Sequence, residues 1–204
     1  MAVSSTAARP RASRSDRWRF TADQYVAMYA AGVLSPDQNT ELIGGEVFQV
    51  PPPGPLHASS QVWITGLFMR RLEDRAVVWL DNAIRLGSES VVQPDVAILR
   101  LEPDAYCHRL PAAADVLLAV EIAESSLGRD RRLKLPLYAR HGIPEVWLVA
   151  LPERRLEVHR QPRGRRYADV AVHGPGEHVA PLCGPDVAVD VGEVLRVRFR
   201  GEEG

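Results

Sequence analysis

Lysine is almost missing from this chain: of 25 basic residues, Lys134 alone is a lysine and the others are arginines. Codon bias with one survivor would give this, and so would a need for lysine at that one place. Cysteine is scarce as well. Cys107 and Cys183 show no Cys-x-x-Cys spacing, which excludes the common cysteine metal motifs. They read as two free thiols in a cytoplasmic protein, with a disulfide as the alternative. No run approaches the roughly 18 apolar residues of a membrane span. The formal net charge is −1, so no global basic field drives binding to nucleic acid, and any such contact must come from a local patch.

What is present is an ordinary globular composition, 46 % hydrophobic and 25 % charged over 204 residues, enough for a sizeable core. Residues 1–17 are rich in Ala, Ser and Arg with no acid before Asp16, and read as a flexible basic tail, with a transit peptide as the alternative. Residues 18–204 are expected to form one domain, with a core over about 20–160 and a C-terminal β extension over about 155–200. Thr21 and Gln24 make a capping box that opens a helix running to about Ala31, with Phe20 placed to staple onto Tyr25. Gly44-Gly45 between Glu41-Leu42-Ile43 and Glu46-Val47-Phe48 signals a hairpin. The Pro51-Pro52-Pro53-Gly54-Pro55 run excludes helix or central strand. A helical stretch over 57–74 directs Trp63, Leu67 and Phe68 to a core, and Trp79 and Trp147 also read as core. Strand-like runs follow at 76–86, 95–99 and 116–122, then a helix over 129–141 interrupted by Pro136, a buried strand at 145–150, and a hairpin of 156–160 with 167–172. This order gives an α/β fold with a mixed β-sheet flanked by helices.

Carboxylates are costly in buried strands unless they bind a cation or are paired. Asp95 leads the apolar run Val96-Ala97-Ile98-Leu99, and Glu121 closes Val116-Leu117-Leu118-Ala119-Val120. On neighbouring strands, the two would project from one sheet edge and could hold a hard dication such as Mg²⁺. Otherwise Asp95 starts a turn and Glu121 pairs with an arginine. Asp130, Lys134 and Tyr138 follow at four-residue steps and share a helix face. Lys134 could reach the sheet edge to orient a water and offset phosphate charge; alternatively it forms an exposed salt bridge with Asp130. Arg129, Arg131 and Arg132 flank this helix as candidate phosphate contacts or as a solvated face. His57 could approach the site or simply open its helix in solvent, and His108, His141, His159, His173 and His178 show no ligand spacing.

Together, Glu41-Leu42-Ile43-Gly44-Gly45-Glu46, Gln93-Pro94-Asp95-Val96, Val120-Glu121-Ile122, Asp130 with Lys134 through Arg140, and Gly142 through Trp147 resemble the Uma-type family, bacterial proteins regarded as endonucleases of the PD-(D/E)XK superfamily. The likeness spans about residues 20–160 and implies a restriction-endonuclease-like core. By it, Asp95 corresponds to the metal-binding aspartate and Glu121 to the acid of the second motif. The lysine expected two residues after that acid is replaced by Ala123, and Lys134 resembles a relocated substitute. Glu41 matches an acid that could be a further ligand, Glu46 belongs to the same stretch or is a hairpin residue, and Glu124 is a weaker candidate. The resemblance implies hydrolysis of DNA with Mg²⁺ or Mn²⁺, and by analogy a homodimer. A noncatalytic nucleic-acid- or protein-binding module that keeps the fold is the competing reading.

Overall fold

The structure is a computed structural model that describes residues 17–35 and 37–195. Of the expected basic tail only Arg17 is described, and residues 196–200 of the expected C-terminal extension lie outside the described residues. The capping box at Thr21 forms as the sequence predicts and opens α1 (Ala22–Ala30). Tyr25 of α1 donates its hydroxyl to the Thr40 carbonyl at 2.7 Å, which ties the helix to the first strand. That strand, β1 (Thr40–Ile43), pairs with β2 (Glu46–Gln49). Gly44 and Gly45 both take positive φ, 56° and 81°, as a two-residue hairpin turn of matching twist requires.

The proline loop feeds α2 (Pro55–Leu72), with Pro55 at a position where its missing N–H costs nothing. The buried stripe of α2 passes through Ser60, Ile64, Leu67, Phe68 and Leu72. Trp63 lies off that stripe and is 48 % exposed, contrary to its expected place in the core, whereas Trp147 is wholly buried. The expected strand over 76–86 is split in two. Asp81 takes a left-handed φ of 46°, which ends β3 (Val77–Leu80) and sends β4 (Ile84–Arg85) into a different sheet.

The larger sheet has the order β10-β9-β8-β7-β6-β3. It contains β6 (Val96–Leu99), β7 (Val116–Ala123), β8 (Glu145–Ala150), β9 (Arg155–Arg163) and β10 (Arg166–His173). The pair β7·β8 is parallel, and β6·β7, β8·β9, β9·β10 and β3·β6 are antiparallel, so the sheet is mixed as expected. A helical segment, 127–140, makes the crossover between β7 and β8. The smaller sheet, β2-β1-β5-β4, includes β5 (Val91–Val92). On one face of the large sheet, Val96, Ile98, Leu118, Val120, Ile122 and Trp147 pack against Ile64, Phe68 and Leu72 of α2. On the other, Ala97, Leu99, Ala119, Ala123, Val146 and Leu148 pack against Leu135, Leu137 and Tyr138 of the crossover. Both faces of β7 and β8 are therefore covered, which is why their sequences read as continuous apolar runs.

Candidate active site

In the antiparallel pair β6·β7, Val96 stands opposite Val120. One step further along this ladder brings Asp95 opposite Glu121, and alternation puts both on the face that the crossover covers. Asp95 is locked there: its Oδ2 accepts from the Ile122 amide at 2.6 Å and its Oδ1 lies 3.1 Å from His57 Nε2.

The crossover supplies the cation. It consists of α3 (Leu127–Arg129), a π-helical turn (Asp130–Lys134) and α4 (Leu135–Arg140) in unbroken succession. Pro136 at the start of α4 has no N–H for an α-helical bond to the preceding turn, and the widened turn just ahead of it accommodates that loss. The helix is thus widened at the proline, neither kinked nor started late. The widening carries both Asp130 and Lys134 into the interior. Lys134 Nζ lies 2.9 Å from Glu121 Oε2, 3.0 Å from Glu41 Oε1 and 3.2 Å from the Gln93 carbonyl. Its three donors meet three acceptors. Glu121 Oε1 accepts from the Tyr138 hydroxyl, one turn beyond Lys134. Glu41 also accepts from the Gln93 amide at 2.9 Å and faces Arg129 Nη2 at 3.4 Å. Glu41 and Glu121 are only 1 % and 2 % exposed.

Apart from Tyr138, these groups line one pocket with Asp81, Glu124 and Asp130, and Pro51, Pro52 and Pro53 form part of its wall. Six carboxylates face two permanent cations, Arg129 and Lys134, and one histidine. Burial raises the Glu121 carboxyl well above its ordinary pKa; Lys134 opposes the rise, and Asp95, Asp130 and Glu41 add to it. Burial likewise raises Asp130 against the pull of Ser126, and raises Asp81 with help from Asp95. Burial alone would lower Lys134, but Glu121, Glu41, Asp95 and Asp130 outweigh it and hold the ammonium above the usual lysine range. His57 is raised by its bond to Asp95 against the opposing effect of burial. The pocket is therefore short of positive charge, and its oxygen-rich donor set fits a divalent cation.

The structure brings Asp95, Glu121, Lys134, Glu41, Glu124, Arg129 and His57 to this pocket. His57 is not a solvated helix opener, because its imidazole is held against Asp95 with the side chain 16 % exposed. The alternative pair of Lys134 with Asp130 gives way to Glu41 and Glu121, and Asp130 accepts from Ser126 Oγ at 2.6 Å. Arg131 does not reach the pocket: it binds Glu153 at 2.9 Å and Glu157, and Arg132 is exposed on the outer helix surface. Glu46 is a hairpin residue paired with Arg17 and Arg19 at 3.5 and 3.4 Å.

Sequence reasoning missed Asp81, for which no signal existed, and the anchoring by Gln93 and Gln61, whose Nε2 donates to the Asp95 carbonyl at 2.9 Å. Tyr138 was legible only as a neighbour on the Lys134 face. Both cysteines are free thiols. Among the described residues, the one group of three metal-ligating side chains within 4.8 Å of one another is Asp104, Cys107 and His108. It lies on an exposed loop outside the pocket, whose own acids are spread more widely, and it corrects the expectation that His108 has no ligand spacing. No helix of the described residues is long and apolar enough to cross a membrane.

No curated protein matches this chain. Among solved structures it is similar to "a putative nuclease belonging to DUF820" from Anabaena variabilis, with 17 % identity, 87 % of this chain and 98 % of that chain covered, and a TM-score of 0.70. That likeness is one of fold, and it agrees with the mixed sheet flanked by helices described above. A family model, Uma2, described as "Putative restriction endonuclease", matches residues 22–192. With the hairpin, both acid-bearing strands, the lysine helix and the closing hairpin all inside that span, the chain belongs to the Uma2 family.

Proposed function

We propose that this chain is a divalent-metal-dependent endonuclease that hydrolyses DNA phosphodiester bonds, with Asp95, Glu121, Glu41 and Lys134 forming its centre. The observation that carries this reading is the chain's single lysine, buried beside Glu41 and Glu121 in an acid-lined pocket. A buried charge cluster of this kind is expensive to build and is weak evidence for stability, so function is the better reason for it. Asp95 and Glu121 would hold Mg²⁺ or Mn²⁺. Such an ion supplies, when bound, positive charge that lowers the pKa of an attacking water and stabilises the leaving oxygen.

The chain's own groups do the remaining work. The bonds from the Ile122 amide and His57 fix the Asp95 carboxylate in one orientation before substrate arrives. Lys134 and Tyr138 together fix Glu121, and the ammonium offers preorganised positive charge to a phosphate undergoing attack. Arg129 lies in the pocket wall, where a guanidinium can take two oxygens of a neighbouring phosphate.

Purified protein incubated with supercoiled plasmid tests the reading. Nicking or linearisation that requires Mg²⁺ or Mn²⁺ and is lost in Asp95→Asn is expected. Intact supercoils at every metal concentration, from a folded protein, would point to the noncatalytic binding module.

A further inference from the structure

We infer that His57 is a nitrogen ligand of the proposed cation site and that the site therefore prefers Mn²⁺ to Mg²⁺. This holds only if Asp95 binds a cation, as proposed above. His57 Nε2 stands 3.1 Å from Asp95 Oδ1. Neighbouring donors on an octahedral ion with bonds of about 2.1–2.2 Å stand roughly 3.0–3.1 Å apart, so this pair already has the bite of a chelate. To hold a cation between them, Nε2 would give up to solvent the proton that it shares with Oδ1, and the ring would keep its proton on Nδ1.

The histidine is positioned more firmly than a chance contact needs. It occupies the first turn of α2, directly after the rigid proline run and Gly54. One turn on, Gln61 Nε2 binds the Asp95 carbonyl at 2.9 Å. The helix is thus fastened to Asp95 at both the main chain and the carboxylate. Nδ1 is buried without a hydrogen-bond partner, so Nε2 is the nitrogen open to an outside group, and it is the one that faces Asp95. Glu121, by contrast, has one oxygen on Lys134 and the other on Tyr138. Asp81 and Glu124 line the same pocket as further oxygen donors on the His57 side.

The ligand chemistry decides the ion. Mg²⁺ prefers oxygen and its own waters, whereas imidazole nitrogen favours first-row transition ions. Calorimetric titration with MgCl₂ and with MnCl₂ of the wild type, His57→Gln and Asp95→Asn tests this, with circular dichroism confirming that each variant folds. Pulsed electron paramagnetic resonance of the Mn²⁺-loaded protein provides a readout independent of activity. The wild type should bind Mn²⁺ about tenfold or more tightly than Mg²⁺ and show the modulation of a directly bound imidazole nitrogen. His57→Gln should lose that modulation and most of the preference while Mg²⁺ affinity changes little. Asp95-dependent Mn²⁺ binding without nitrogen modulation, or equal weakening of both ions in His57→Gln, would make His57 a partner that only orients Asp95. The nuclease reading would survive that result. Absence of binding by either ion would remove both.

Discussion

Glu121 and Glu145 are both buried carboxylates on the two parallel central strands, yet they are held in opposite ways. One step before the Ala119–Val146 pair of the parallel ladder, Glu145 of β8 falls beside Leu118 of β7, three residues before Glu121 and on the other face of the sheet. Glu145 is completely buried and answered by donors on every side. Its Oε1 accepts from Trp147 Nε1 at 2.9 Å and from Arg160 Nε and Nη2 at 2.9 and 2.7 Å, and its Oε2 accepts from the Leu182 amide at 2.6 Å. That is a private ion pair with full hydrogen bonding. Glu121 shares one ammonium with Glu41 and has Asp95 and Asp130 as repulsive neighbours. A buried acid with its own counter-charge closes a fold, and a buried acid in excess over its counter-charges has a raised pKa that a bound cation would relieve.

Removing the cation from each cluster should break the comparison most visibly. Lys134→Ala should cut DNA turnover on the order of a hundredfold or more, as loss of one preorganised donor does. Lys134→Arg should also fail, because a planar, bulkier fork cannot replace an ammonium enclosed by two carboxylates and a carbonyl. Arg160→Ala should instead leave turnover per folded molecule intact while lowering stability by about 3 kcal/mol, the low end for breaking a buried pair because Arg160 is partly exposed. Single-turnover kinetics and urea unfolding on the same samples separate the outcomes. Full activity in Lys134→Arg would take Lys134 out of the centre.

Neutral isosteres sharpen the contrast. Glu145→Gln puts an NH₂ group where only donors converge, so donor faces donor, and the loss should be about 2–3 kcal/mol with activity retained. Glu121→Gln relieves an overcrowded acidic pocket while Glu41 still pairs with Lys134, so stability should stay within about 1 kcal/mol of wild type while activity disappears. Similar urea midpoints for the two variants would erase the distinction between the clusters.

A smaller effect is expected from pH. Glu121, Asp130 and Asp81 have folded-state pKa values above their ordinary values of 4.5, 3.8 and 3.8. The unfolded chain therefore releases these protons first, and the folded state binds more protons in the window above the ordinary carboxylate range. Stability must then fall as pH rises through that window. Metal-free protein should lose urea resistance from mildly acidic to neutral pH, and Glu121→Gln should flatten the curve. An unchanged slope in Glu121→Gln would place the strain elsewhere.

Much of this fold is readable from sequence, for reasons that are themselves physical. The Gly44-Gly45 turn, the capping box at Thr21 and the two central apolar strands, β7 and β8, are set by local chemistry, and each forms where expected. The partners of Lys134 are only half legible. Four-residue spacing indicates the shared face with Tyr138, but the π turn that buries Lys134 depends on Pro136 and on tertiary contacts. Glu145 shows the limit most clearly. It opens an apolar strand much as Asp95 leads one, and only Arg160, Trp147 and the Leu182 amide reveal it as structural. Trp63 departs from its expected core position because its angular place on α2, and not its hydrophobicity, decides its exposure.

The least effect is expected where two arginines of one helical segment are compared. By sequence, Arg129 and Arg131 are equal candidates for phosphate contact, two residues apart. Two residues on a helix point roughly 200° apart, so they cannot face the same group. Arg129 lies at the pocket wall, 3.4 Å from Glu41 and 5.9 Å from the Phe48 ring centre, with the side chain 24 % exposed. Arg131 spends its guanidinium on Glu153 and Glu157. Arg129→Gln should weaken DNA binding and reduce the slope of log affinity against log salt by roughly one. Arg131→Gln should leave that slope unchanged and instead lower stability, because it leaves the buried Glu157 without its guanidinium. Fluorescence anisotropy with a labelled duplex over a salt series, using a calcium buffer to suppress cleavage, measures both. Equal loss of slope in the two variants would mean that the DNA path crosses the outer helix surface and not the pocket wall.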